Sequence, residues 1–159
     1  HLLSHIDLQN RIIDAFGLQV TNKNRLNLIK LSEHIFSRKQ YQDTMNKIIW
    51  PEVYSLIKSA AEKEILNNTE LFVVDAALLF EAGYAEYFDS ILFISTPKPI
   101  RIQRIRKRKN IPDHQIEKRM AMQMSESRKQ ELSHTTIENN KDVQELYIKL
   151  EEFYKNLNL

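Results

Sequence analysis

The chain has 159 residues, 42% of them hydrophobic, and a formal net charge of +2. That length and apolar content fit one domain with a real core, and the near-balanced charge weighs against a dedicated nucleic-acid or membrane-surface protein. There is no cysteine, which excludes disulfides, thiolate catalysis and cysteine-ligated metals and makes a cytoplasmic setting the expectation.

In chain order, Leu8, Ile12, Ile13 and Phe16 recur at helical spacing, and Gly17 is a natural stop, so a helix is predicted over residues 8–16. Residues 21–28 are polar and read as a connector, and 31–36 as a second short helix. A longer helical region is predicted over 41–66; Pro51 is expected to restart or kink it, and Asn67-Asn68 to end it. Residues 72–75 read as the first strand and 88–95 as the second, closed by Thr96-Pro97. A helix is expected over about 99–109. After a break at 110–113, Asp113 is expected to cap a further helix over about 114–132. A short third strand at 135–137 and a final amphipathic helix over 143–157 complete the pattern. Strands alternating with helices predict an α/β fold with a parallel sheet. No apolar run approaches the roughly 20 residues that span a bilayer, and the opening HLLSHIDLQNR does not read as a signal peptide.

Two stretches carry candidate chemistry. The first is LFVVDAALLFEAG, residues 71–83: an apolar run ends in Asp75, and the apolar step Leu78-Leu79-Phe80 is closed by Glu81. Ligands of parallel α/β sheets collect where strands end, so this step reads as a substrate wall. Asp75 could bind a metal or accept a proton from a substrate hydroxyl; the alternative is an acid that caps the following turn. The second is PKPIRIQRIRKRK, residues 97–109, with seven basic residues and no acid. On a helix, Arg101, Arg104 and Arg108 share one face. Three aligned guanidiniums suit a polyphosphate, and the alternative is a solvated face or a generic anion patch. Of the five histidines, His1, His5, His34, His114 and His134, only His1 and His5 sit at a spacing that suits one helix face, and with no third ligand evident no metal site is predicted from them. Only two glycines occur, Gly17 and Gly83, and no Gly-rich phosphate loop is present.

Together these pieces resemble the dephospho-coenzyme A kinase family over almost the whole sequence. VVDAALLFEAG is similar to the family's D-x-P-L-L-F-E-x-G. DSILFISTPKPIRIQRIRKR is similar to its D-x-V-x-V-V-x-x-P-x-x-x-Q-x-x-R-x-x-x-R. IIWPEV resembles its L-H-P-x-V, and SHTTIENNK its A-D-x-V-I-x-N-x-G. Trp50, Ala77, Ser133-His134 and Lys141 depart from the histidine, proline, Ala-Asp and glycine of those patterns.

The resemblance implies a P-loop kinase-like fold, a three-layer arrangement on a parallel sheet, with a helical coenzyme A-binding insertion at about 22–66 and a lid at about 99–132 in one kinase-like domain spanning 1–159. It implies transfer of the γ-phosphoryl group of ATP to the ribose 3′-hydroxyl of dephospho-coenzyme A, with ATP and Mg²⁺ required. Asp75, Arg104 and Arg108 would be catalytic. Leu78, Leu79, Phe80 and Glu81 would bind the acceptor, and Arg104, Arg108 and Asn139 the nucleotide. The family's G-x-x-x-x-G-K-[ST] loop and first strand lie upstream of anything here. The expectation is therefore that about 30–40 residues, one strand–loop–helix unit, precede His1, that they carry the main magnesium ligands, and that the 159 residues alone are inactive. No nucleic-acid or membrane partner is expected, and the oligomeric state is not set by the sequence. Two other readings are another nucleoside or nucleotide kinase of this fold, and a non-catalytic helical module that binds RNA or an acidic partner through residues 101–109.

Overall fold

The structure, a computed structural model, describes residues 2–108 and 112–157. The ends of two predicted features, Lys109 of the basic helix and Asn110-Ile111 of the break after it, lie outside the described residues. Two units partition the chain, His1–Asp75 and Ala76–Leu159.

In the first unit, the repeat of Leu8, Ile12 and Phe16 at four-residue spacing folds as helix α1, Ile6–Phe16, which buries those three side chains. Gly17 ends it at φ 77°, a left-handed region that a side chain would strain, and donates its N–H to the Ile13 carbonyl at 2.7 Å. The expected connector holds a small antiparallel hairpin, β1 (Thr21–Asn22) against β2 (Arg25–Leu26). Lys23 and Asn24 both turn at positive φ, as a two-residue hairpin loop requires. Helix α2, Leu28–Ile35, starts earlier than its apolar pattern predicts because Asn27 caps it: the Asn27 Oδ1 accepts the N–H groups of Ile29 at 3.1 Å and Lys30 at 3.0 Å. Helix α3, Lys39–Leu66, is one helix through Pro51 and does not restart there. The proline lacks the donor for the carbonyl four residues back, on Lys47, and Lys47 is exposed, so water can satisfy that oxygen. Asn67 caps the end as expected, with Asn68 beyond it at φ 56°. The core gathers Leu8, Ile12, Phe16, Val20, Leu31 and Ile35, with Leu26, Tyr41, Met45, Ile48 and Ile49 packed on it.

The first predicted strand does not form. Residues 71–76 have neither helical nor ladder bonding, and Val73 is 74% exposed. A strand exists by its ladder, and no described strand pairs with this segment.

In the second unit, β3 (Leu92–Ser95) pairs in parallel with β4 (Thr135–Glu138), register Leu92↔Thr135 through Ser95↔Glu138. Parallel neighbours need a long crossover, and here it contains α4 (Lys98–Arg108), α5 (Asp113–Ala121) and α6 (Glu126–Leu132). Strand β3 is shorter than the predicted 88–95. Ile91 just before it is buried and donates its N–H to the Nδ1 of His134 at 3.0 Å. The single helix expected over 114–132 is divided at residues 122–125, where Ser125 caps α6 by accepting the Arg128 N–H. Asp113 is the first residue of α5, not its cap, and its carboxylate pairs with Arg106 of α4. Helix α7, Val143–Lys155, begins on an Asp142 cap that accepts the Glu145 N–H at 2.9 Å. The α/β expectation with a parallel sheet therefore holds.

Candidate functional site

Strands β3 and β4 end side by side, and the turns beyond their carboxyl ends are tied together. Ser95 offers its carbonyl to the Asn139 N–H at 2.7 Å. The Thr96 hydroxyl donates to the Asn139 carbonyl at 3.2 Å. Helix α4, whose Pro97-Lys98-Pro99 start places it directly after β3, adds two arginines. Arg104 donates through Nη1 to the Asn139 carbonyl at 3.0 Å and through Nη2 to the Lys141 carbonyl at 2.6 Å. Arg101 Nη2 pairs with Glu126 Oε2 at 2.8 Å, while Glu126 Oε1 accepts the Thr96 N–H at 3.2 Å. The turns at the carboxyl ends of the parallel pair are thus held by Arg104 directly and by Arg101 through Glu126, with the buried Arg101 Nε and Asn140 Oδ1 left without hydrogen-bond partners. Carboxyl ends of parallel strands are where open α/β sheets bind ligands.

The predicted residues fall in three places. Arg104 and Asn139 are brought into direct contact. Arg108 stands exposed on the last turn of α4 with no ion pair among the described residues. Leu78, Leu79 and Phe80 are half-buried on a single helical turn, where the Leu78 carbonyl accepts the Ala82 N–H at 2.9 Å and Gly83 ends the turn at φ 74°. Glu81 faces its own unit: it pairs with Lys129 Nζ at 2.9 Å and accepts the Met124 N–H at 2.8 Å. Asp75 closes the first unit, exposed.

Sequence reasoning missed Glu126 as the acid that neutralises Arg101, and Lys129 as more than one of several bases. The readable signal was Ser125-Glu126, a helix cap and an acid in the first turn behind it. Two of the departures also have local work. His134 closes the start of β3 through its ring, and Lys141 pairs with Glu145 at 3.0 Å. Hydrogen bonds from Lys149 and Lys141 hold the Glu145 carboxyl below the usual carboxylate range, and the Glu145 bond raises Lys141.

The fold is shared with solved proteins. TT1252 from Thermus thermophilus superposes with a TM-score of 0.71 at 22% identity, over 96% of this chain and 78% of that one. A dephospho-CoA kinase from Campylobacter jejuni gives a TM-score of 0.62 at 20% identity, over 96% and 76%. The architecture is accordingly the α/β fold that these two structures share. The family profile described as dephospho-CoA kinase matches residues 4–145. The dephospho-CoA kinase of Fusobacterium nucleatum is 31% identical over 147 residues, 92% of this chain and 75% of that protein. That of Salinibacter ruber is 30% identical over 149 residues, 93% of this chain and 75% of its own length. The chain belongs to the dephospho-CoA kinase family.

Proposed function

We propose that the protein transfers the γ-phosphoryl group of ATP to the ribose 3′-hydroxyl of dephospho-coenzyme A, the last step of coenzyme A synthesis. The observation that carries this reading is the family match across residues 4–145, with the arginine-tethered strand ends supplying a phosphate-facing surface. In the reaction the 3′-oxygen forms a bond to the γ-phosphorus, the bond from that phosphorus to the β–γ bridging oxygen breaks, and ADP leaves. The hydroxyl proton is lost as the new bond forms. Catalysis of this kind is mostly positioning and neutralisation of spread charge.

Each residue then has a part. Arg108, exposed and outside every described ion pair, neutralises phosphate charge. Arg104 fixes the 139–141 turn through two carbonyls and leaves its remaining guanidinium N–H groups for an oxyanion. Asn139 lies beside the base. Leu78, Leu79 and Phe80 line the acceptor pocket, with Glu81 at its end. Asp75 faces the acceptor hydroxyl or the metal region. The helical stretch at about 22–66 serves as the coenzyme-binding insertion, and about 99–132 as the lid, in one kinase-like domain. Magnesium accompanies the triphosphate in this chemistry and is held largely by phosphates and water. Among the described residues no group of three or more His, Asp or Glu side chains converges, so these residues form no cage for it. No described helix is long and apolar enough to cross a membrane, and a cytoplasmic site of action fits the pathway.

The test is an ADP-release assay on the full-length gene product, with the phosphorylated position read by mass spectrometry. Dephospho-coenzyme A should be converted to coenzyme A. Preference for a nucleoside or a nucleoside monophosphate would transfer the reading to another kinase of this fold. RNA binding that falls steeply with salt, without phosphoryl transfer, would favour a basic binding module.

A further inference from the structure

A single ammonium group fastens both ends of the Leu78-Leu79-Phe80 step. Lys129 Nζ, on α6, donates to the Ala77 carbonyl at 3.0 Å and pairs with Glu81 Oε1 at 2.9 Å. Ala77 and Glu81 flank the three apolar residues, one helical turn apart. The pair is well shielded, with side chains 12% and 15% exposed, unlike the other ion pairs among the described residues, whose side chains are 26–74% exposed. Glu81 Oε1 also takes the Met124 N–H at 2.8 Å, in the joint between α5 and α6. Its other oxygen, Oε2, is buried with no partner, so the carboxylate depends on Lys129 for its neutralisation.

We propose that Lys129 is a positioning residue for the acceptor: it holds the 77–81 turn in the shape that presents Leu78, Leu79 and Phe80, and fixes that turn to the α5–α6 joint. The inference rests on the reading of 78–81 as acceptor wall given above. An ammonium has three donors; here two of them are taken by the two ends of the turn, so the wall cannot flatten without breaking a charged contact. Met124 makes the link to the helices reciprocal, because a shift of the α5–α6 joint pulls on the same carboxylate.

The test uses the full-length gene product and the variants Lys129→Met, which keeps the stem and deletes the charge, Lys129→Arg, which keeps the charge, and Glu81→Gln, which keeps an acceptor for Met124 but not the charge. Amide hydrogen exchange at residues 78–82 should rise at least tenfold in Lys129→Met relative to the β3 amides of 92–95, and much less in Lys129→Arg. In steady state, Lys129→Met should raise KM for dephospho-coenzyme A about tenfold or more, with KM for ATP within twofold, and Lys129→Arg should recover most of it. Unchanged exchange at 78–82 overturns the fastening. Equal rises in both KM values, or a loss in kcat alone, overturn the positioning role. If Lys129→Met does not fold, the same two readouts on Glu81→Gln decide. Should the wild-type protein not phosphorylate dephospho-coenzyme A, the functional reading fails on that control, and the exchange result still decides whether Lys129 holds the turn.

Discussion

Arg104 of α4 donates through Nη1 to the main-chain carbonyl of Asn139 at 3.0 Å, thirty-five residues away in sequence. This contact joins the first helix of the crossover to the turn after the strand at its far end. It means that the position of Asn139 is set by a side chain and not by the β4 ladder alone. Arg104→Ala removes two charge-assisted bonds to carbonyls and should destabilise the fold by about 2 kcal/mol, seen as a lowered urea midpoint at unchanged slope. Arg104→Lys can meet one carbonyl as a point charge but not both as a fork, so it should recover less than half.

Glu126 is the counter-charge of the same corner, pairing Arg101 and accepting the Thr96 N–H. Glu126→Ala leaves a partly buried guanidinium and a backbone donor unpaired and should cost about 2 kcal/mol by chemical denaturation. Glu126→Gln keeps the acceptor for Thr96 and should cost clearly less. Equal losses would show that charge, not the bond to Thr96, dominates there.

Arg108→Ala should leave the thermal midpoint within about 2 °C, because the side chain is exposed and outside every described ion pair. It should raise KM for ATP about tenfold, the worth of one charge-assisted phosphate contact. An unchanged KM would return this arginine to the solvated face.

How much of this was legible beforehand differs by residue. The α1 core was readable because Leu8, Ile12 and Phe16 repeat on one helix face, a signal that needs no knowledge of neighbours. The strand expected at 135–137 forms and runs one residue further, to Glu138. The hairpin at 21–26 was not, since Lys-Asn is a weak stand-in for the Asn-Gly that marks such turns. Segment 72–75 has the composition of a buried strand, yet composition fixes no ladder, and no described strand pairs with it. For the candidate site, the motif order singled out Arg104 and Asn139 as candidates, but their contact, and the pairing of Glu81 with Lys129, depend on backbone placement that spacing does not encode.

Asp113 and Glu145 give the pH dependence its sign. A hydrogen bond from Arg106 holds the Asp113 carboxyl below its usual range, and bonds from Lys149 and Lys141 do the same for Glu145. Their contribution to stability is therefore present above the unfolded carboxylate values, around pH 4, and is lost as pH falls through the lower folded values. Urea midpoints should be flat from pH 7 to 5 as far as these groups are concerned and should drop below about pH 4. Asp113 is exposed and Glu145 is partly exposed on the surface, so the drop should be small and should shrink further in 1 M salt. In Asp113→Asn with Glu145→Gln the acid limb should flatten.

The central claim is the identity of the acceptor. It is tested most directly by kcat/KM of the full-length gene product for dephospho-coenzyme A against AMP, CMP and adenosine at saturating ATP. The account predicts that dephospho-coenzyme A is preferred by at least a hundredfold, with the new phosphate on the ribose 3′-oxygen. A higher kcat/KM for any of the three competitors would contradict it.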